Sequence, residues 1–106
     1  MKELPKSFND LIHTSERPVL VDFYADWCGP CKMVSPIIQK LAKEFSGRMT
    51  TIKINTDRKQ EIAIQYQIQG IPTIMFFYKG KTLFRLVGAQ SYDVIKNHIV
   101  QNLPAV

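Results

Sequence analysis

An α/β fold, with a mixed central sheet and helices on both faces, is what this sequence predicts. Two observations carry the prediction. Val19 to Tyr24 and Thr50 to Asn55 are strand-like runs separated by a stretch of helical periodicity, and a strand–helix–strand unit of that length implies a parallel pair with a right-handed crossover. Further on, Thr73 to Tyr78 and Lys81 to Val87 flank Lys79-Gly80, the signature of an antiparallel hairpin. With a short helix in front, one between the two units and one at the end, the predicted order is α-β-α-β-α-β-β-α. The chain of 106 residues suits one domain over 1–106, and its 45% hydrophobic content suffices for a core.

Each element has its local cause. Ser7-Phe8-Asn9-Asp10 has the S-x-x-D form of a helix start, with Phe8, Leu11 and Ile12 on one face, and Pro18 sets a limit beyond which that helix cannot run. Val19-Leu20-Val21-Asp22-Phe23-Tyr24 is apolar on both alternating faces except at Asp22, the pattern of a central strand covered on two sides. Val34, Ile37, Ile38, Leu41, Ala42 and Phe45 then recur at helical spacing while Lys40, Lys43 and Glu44 face away. Pro30 is tolerated in the first turn of that helix; Pro36 predicts a kink, and Gly47 a stop. Asp57 is placed to cap the next helix, with Gln60 three residues on and Ile62, Ala63 and Tyr66 as its apolar face. After the hairpin, Ser91 caps a last helix that buries Ile95, Ile99 and Leu103.

Composition excludes several classes. Two cysteines cannot form a disulfide scaffold. The net charge of +5 comes from basic residues scattered over polar helix faces and turns, with no cluster interleaved with aromatics, so no nucleic-acid partner is expected. No run approaches membrane-spanning length, and Met1 to Lys6 lacks the apolar stretch of a signal peptide. The expectation is a cytoplasmic protein, where a cysteine pair is catalytic more often than structural.

The chemistry centres on Trp27-Cys28-Gly29-Pro30-Cys31-Lys32, which holds both cysteines and the sole tryptophan. Two thiols one helical turn apart, entered from a strand and leaving into a helix, are placed for reversible disulfide chemistry. By themselves these residues also fit half of a zinc site, which His13 and His98 would have to complete. Those histidines fall on separate helices far along the chain, and no second cysteine pair exists, which disfavours metal. A thiolate attacks a disulfide, so the attacker must ionise near neutral pH. Cys28 at a helix N-terminus meets free N–H groups and the positive end of the helix dipole. Cys31 lies one turn later and points inward, which predicts an exposed attacker and a shielded resolver. Gly29 allows close backbone approach, and Pro30 stiffens the connection.

Asp22 is an acid inside an otherwise apolar strand, near the strand end that delivers Cys28. Burial should raise its pKa toward neutrality; a hydrogen-bonded structural aspartate is the competing reading. Lys53 alternates against Ile52 and Ile54 and either reaches across the sheet toward Asp22 or snorkels to solvent. Pro72 opens a strand after Gly70 and has no N–H to give a ladder. Trp27 suits either a docking surface for partner proteins or a cover over Cys31; Tyr24 reads as core. Gly70, Gly88 and Ala89 complete an apolar rim.

Nearly the whole chain resembles the thioredoxin family: the Trp-Cys-Gly-Pro-Cys-Lys motif, the acid Asp22 in the preceding strand, Ile71-Pro72-Thr73 opening the hairpin and Gly88 after it, in that order. Thioredoxin is itself a standard example of Cys-x-x-Cys redox chemistry. The resemblance implies a thioredoxin fold, a cis proline at Pro72 against the cysteine pair, and Ile71 backbone groups that pair with an extended substrate. It implies Asp22 as general base for Cys31 and Lys53 as a modulator of that acid. It also implies reduction of protein disulfides by a monomer that binds no cofactor and draws electrons from an NADPH-dependent flavoprotein thioredoxin reductase. The chain departs from the family at Tyr24, where many bacterial relatives carry tryptophan. It departs also at the front, where only Met1 to Pro5 precede the first helix. The family's opening edge strand is therefore expected to be short or missing, leaving four strands. A redox-indifferent binding module using the same surface is the rival function.

Overall fold

A computed structural model describes residues 7–104 of the chain. The observed order is α1 (Phe8–Thr14), β1 (Val19–Tyr24), α2 (Gly29–Glu44), β2 (Thr50–Asn55), α3 (Gln60–Gln65), β3 (Thr73–Tyr78), β4 (Lys81–Val87) and α4 (Tyr92–Asn102). The strands form one four-stranded sheet in the order β2-β1-β3-β4. β1 pairs with β2 in parallel, and the β1–β3 and β3–β4 pairs are antiparallel. The predicted mixed α/β sheet is therefore present. The short or missing edge strand expected at the front falls outside the described residues.

The helix starts follow the predicted caps where a hydroxyl is available. Ser7 Oγ accepts from the Asp10 amide at 3.1 Å, and Ser91 Oγ accepts from the Val94 amide at 3.2 Å. Each satisfies one of the donors that a helix start leaves free. α2 stays helical through Pro36. Pro36 sits on the exposed side, where the carbonyl that loses its partner can turn to water. Asp57 does not cap α3: the N-cap is Lys59, without a side-chain bond. Asn55 instead organises that turn, its buried side chain accepting from the amides of Asp57 and Arg58 at 2.9 and 3.3 Å.

Two cores lie on the two faces of the sheet. Under α2 and α4, Leu20, Ile74 and Phe76 pack with Val34, Ile38, Leu41, Ile95 and Ile99, and Leu103 joins from the end of α4. Under α1 and α3, Val19, Val21, Phe23, Met75 and Phe77 pack with Ile12, and Phe8, Ile62 and Tyr66 close the cluster. The hairpin turns through Lys79 and Gly80 at φ 50° and 82°, both left-handed as a tight two-residue turn requires. That turn is fastened to α1: the Gly80 amide donates to the Ile12 carbonyl at 2.8 Å. A Cβ on Gly80 would come within 2.6 Å of the His13 ring.

Candidate active site

β1 delivers the chain to the site and α2 leads away from it. Cys28 is the N-cap of α2 in extended conformation, and its sulfur accepts from the Cys31 amide at 3.2 Å. One otherwise free N–H of the first turn is thus aimed at this sulfur, an arrangement that favours an anion there. Cys28 and Cys31 are joined as a disulfide, their Cα atoms 5.3 Å apart. Gly29 and Pro30 fill the first turn between them, and a Cβ at Gly29 would meet nothing within 4 Å. Its openness is therefore toward solvent and not a demand of internal packing.

The two cysteines do not differ in exposure as the sequence predicts. Cys28 is 3% and Cys31 4% exposed. Both are enclosed by Ala25, Tyr24 and Ile71, because the β1–α2 loop folds back on itself and the segment before β3 covers the pair. What separates the cysteines is their surroundings. Cys28 Sγ lies 3.8 Å from the Ile71 carbonyl oxygen, on the groove side. Cys31 lines a cavity of about 180 Å³ on the sheet side together with Asp22, Tyr24, Lys32, Ser35 and Lys53.

Asp22 is 1% exposed, and neither of its carboxylate oxygens has a hydrogen-bond partner among the described residues. No side chain or backbone group among the described residues therefore ties this acid down as a structural hydrogen-bonding partner. Burial raises its pKa to about 6, and the charge of Lys53 pulls in the opposite direction. Asp22 and Lys53 are direct neighbours in the β1–β2 register. Lys53 makes no salt bridge with the acid and, though solvent-exposed, has its Nζ donating to Ser35 Oγ at 3.2 Å and standing 4.5 Å from the Tyr24 ring centre. Tyr24 is half-buried, with its ring beside the site and not within the main cores.

The second wall comes from the start of β3 and the end of β4. The Ile71–Pro72 peptide is cis. The Pro72 carbonyl accepts from the Gly88 amide at 2.8 Å, and Gly88 turns at φ 87°, with Ala89 exposed beyond it. Gly70 serves this wall from inside, since a Cβ there would press to 3.1 Å on Val87 Cγ1. Trp27 is 71% exposed. Its indole Nε1 donates to Asp57 Oδ2 at 2.8 Å, which is what Asp57 does in place of capping α3. These roles of Asp57 and of its organiser Asn55 escape sequence reasoning. The available signal was Asn55-Thr56-Asp57 at a strand end, a run of residues that bond their own backbone in turns. The histidines weighed as zinc ligands are engaged elsewhere: His13 Nδ1 lies 2.7 Å from the Asn9 carbonyl, and His98 Nδ1 lies 2.9 Å from the Val94 carbonyl. Among the described residues no cluster of three or more potential ligands forms.

Two sulfurs held one helical turn apart, able to close on each other and to open, are a device for exchanging electron pairs with other disulfides. Thiol–disulfide oxidoreductase is accordingly the class that this fold and site define. Comparison with known proteins narrows it. The thioredoxin family model matches residues 1–101. Thioredoxin 1 of Chlorobaculum tepidum is 44% identical over 98 residues, covering 92% of this chain and 97% of that one. Thioredoxin 1 of Nostoc sp. is 43% identical over 97 residues, covering 92% and 91%. The chloroplastic M-type thioredoxin of Spinacia oleracea is also 43% identical over 97 residues, but this chain spans only 54% of its length. The chain belongs to the thioredoxin family, and its activity is that of a protein-disulfide oxidoreductase.

Proposed function

We propose that the protein reduces disulfides of client proteins, with Cys28 as nucleophile and Cys31 as resolving thiol. Cys28 thiolate attacks one client sulfur; the other client sulfur leaves as thiolate and takes up a proton. The resulting mixed disulfide is resolved when Cys31, having lost its proton, attacks Cys28 Sγ and releases the second client sulfur as a thiolate. The products are a dithiol client and the Cys28–Cys31 disulfide. The observation that carries this division of labour is the shared cavity: Asp22, without a partner and with a pKa near 6, faces the same space as Cys31. An acid that exchanges protons near neutrality can take the Cys31 proton through a water in that space.

Clients would bind in the groove between Trp27 and the wall of Ile71, Pro72, Gly88 and Ala89. The half-buried Ile71 offers its backbone there to an extended segment, and pairing through main-chain groups tolerates many client sequences. Gly29 and Pro30 keep the approach to Cys28 open and stiff, and Lys53 modulates Asp22. A monomer needing no bound cofactor would be recharged by an NADPH-dependent flavoprotein thioredoxin reductase. A cytoplasmic setting suits a reductant; the spinach relative is named as chloroplastic, and no helix among the described residues is long and apolar enough to cross a membrane. Gly-Pro between the cysteines resembles the reducing members of the family.

The test is turnover of a protein disulfide by wild type, Cys28→Ser and Cys31→Ser. Cys28→Ser should lose turnover entirely, and Cys31→Ser should accumulate a client adduct on Cys28 that added dithiol releases. Turnover by Cys28→Ser would sink the assignment and revive the redox-indifferent binding module.

A further inference from the structure

The cavity between β1, β2 and α2 contains one arrangement that the exchange chemistry above does not use. Lys53 is an exposed residue on the edge-side neighbour of β1, and an ammonium on a four-carbon stem gains rotamer freedom and hydration by swinging into bulk water. It is nevertheless held by contacts from two other elements: the Ser35 hydroxyl of α2 at 3.2 Å and the face of the Tyr24 ring of β1, its centre 4.5 Å away. Ser35 stands one helical turn after Cys31, on the same side of α2, and both line the cavity that Asp22 faces. We propose that Ser35 and Tyr24 are positioning residues for the resolving step, which fix the Lys53 ammonium at the mouth of the Asp22 cavity so that its charge acts on the acid without a direct salt bridge.

This rests on the assignment of Asp22 as base. A direct Lys53–Asp22 bond would hold the acid ionised too firmly to pick up and pass on protons, whereas a lysine lost to solvent would leave burial unopposed. A tether at an intermediate distance avoids both extremes. The ionisable groups around the cavity are Asp22, Tyr24 and Asp26 from β1 and the loop after it, Cys31 and Lys32 from α2, and Lys53 from β2. Lys53 is the cation whose charge acts on Asp22, lowering a pKa that burial raises.

The experiment follows the Asp22 carboxyl carbon by NMR through a pH titration of the oxidised protein, in which neither cysteine titrates. Ser35→Ala should raise the Asp22 midpoint by roughly half a pH unit or less, the scale of an exposed charge contact. Tyr24→Leu should raise it in the same way. Tyr24→Phe, which keeps the ring face, and Ser35→Thr, which keeps the hydroxyl, should leave it at the wild-type value. In a Lys53→Gln background Ser35→Ala should have no further effect. An unchanged or lowered midpoint in Ser35→Ala overturns the proposal, and so does an equal shift in the Lys53→Gln background. A wild-type rate of mixed-disulfide resolution by Asp22→Asn would overturn the base assignment instead. The two failures are separable because the titration requires no turnover.

Discussion

On the α1/α3 face of the sheet, Phe8, Phe23, Tyr66 and Phe77 meet edge to face with ring centres 5.4 to 6.3 Å apart, and Ile12, Val19, Val21 and Met75 pack around them. On the α2/α4 face the same strands carry Leu20, Ile74 and Phe76, but the row is interrupted by Asp22, whose buried oxygens have no partner among the described residues. One face is built from packed apolar side chains and holds no buried ionisable group among the described residues. The other gives up some stability at a single position, beside the reactive sulfur. A buried acid without partners is unfavourable for folding whenever it is charged, and its retention under the redox pair fits a group kept for chemistry.

Substitutions on the two faces should therefore have effects of opposite sign. The largest is Phe77→Ala on the aromatic face, where loss of a fully buried ring should destabilise by about 3–5 kcal/mol. Chemical denaturation would show it, while turnover per folded molecule stays near wild type; a large fall in that rate would mean that the faces are not separable. Next comes Asp22→Asn on the opposite face. The folded-state pKa of about 6 lies above the ordinary 3.8, so the native state binds the proton more tightly than the unfolded chain. Stability of the wild type should then be greatest below pH 4, fall as pH rises toward 6, and level off above, a total change of roughly 3 kcal/mol. Asp22→Asn should abolish that slope and be more stable than wild type by about 1–3 kcal/mol at pH 8, the amide still being buried without partners. Its resolution rate should drop near neutrality. A wild-type slope in Asp22→Asn would assign the pH dependence to another group. The smallest effect belongs to Asp57→Ala, which touches neither core. It should cost about 1 kcal/mol or less, shift Trp27 fluorescence, and raise KM for a protein disulfide several-fold with kcat retained; an unchanged KM would remove Trp27 from the docking surface.

How much can be read in advance follows from the range of the interactions involved. β1, β3 and the hairpin turn are legible because their causes are local: an apolar run, a Lys-Gly turn, a serine before a helix. Asp22 stands out because a charge in such a strand contradicts its neighbours. Asp57 misleads because its fate depends on Trp27, thirty residues away, and a cap and an indole acceptor look alike in sequence. The burial of Cys28 is hidden because Ile71, which helps to cover it, comes from a segment 43 residues further along the chain. The attachment of Lys53 to Ser35 is hidden for the same reason, since it links β2 to α2 across the crossover.

Cys28 and Ile71 face each other across the site, yet one follows β1 and the other precedes β3, strands joined by the antiparallel β1–β3 ladder. The groove is therefore a seam between two stretches of chain, 19–55 and 70–102, and neither stretch alone contains both of its walls. A break in the connection between them would leave two pieces, one with the thiols and one with the cis proline. The reactive centre would exist only while that ladder is zipped, so client turnover doubles as a report on whether the two pieces have joined.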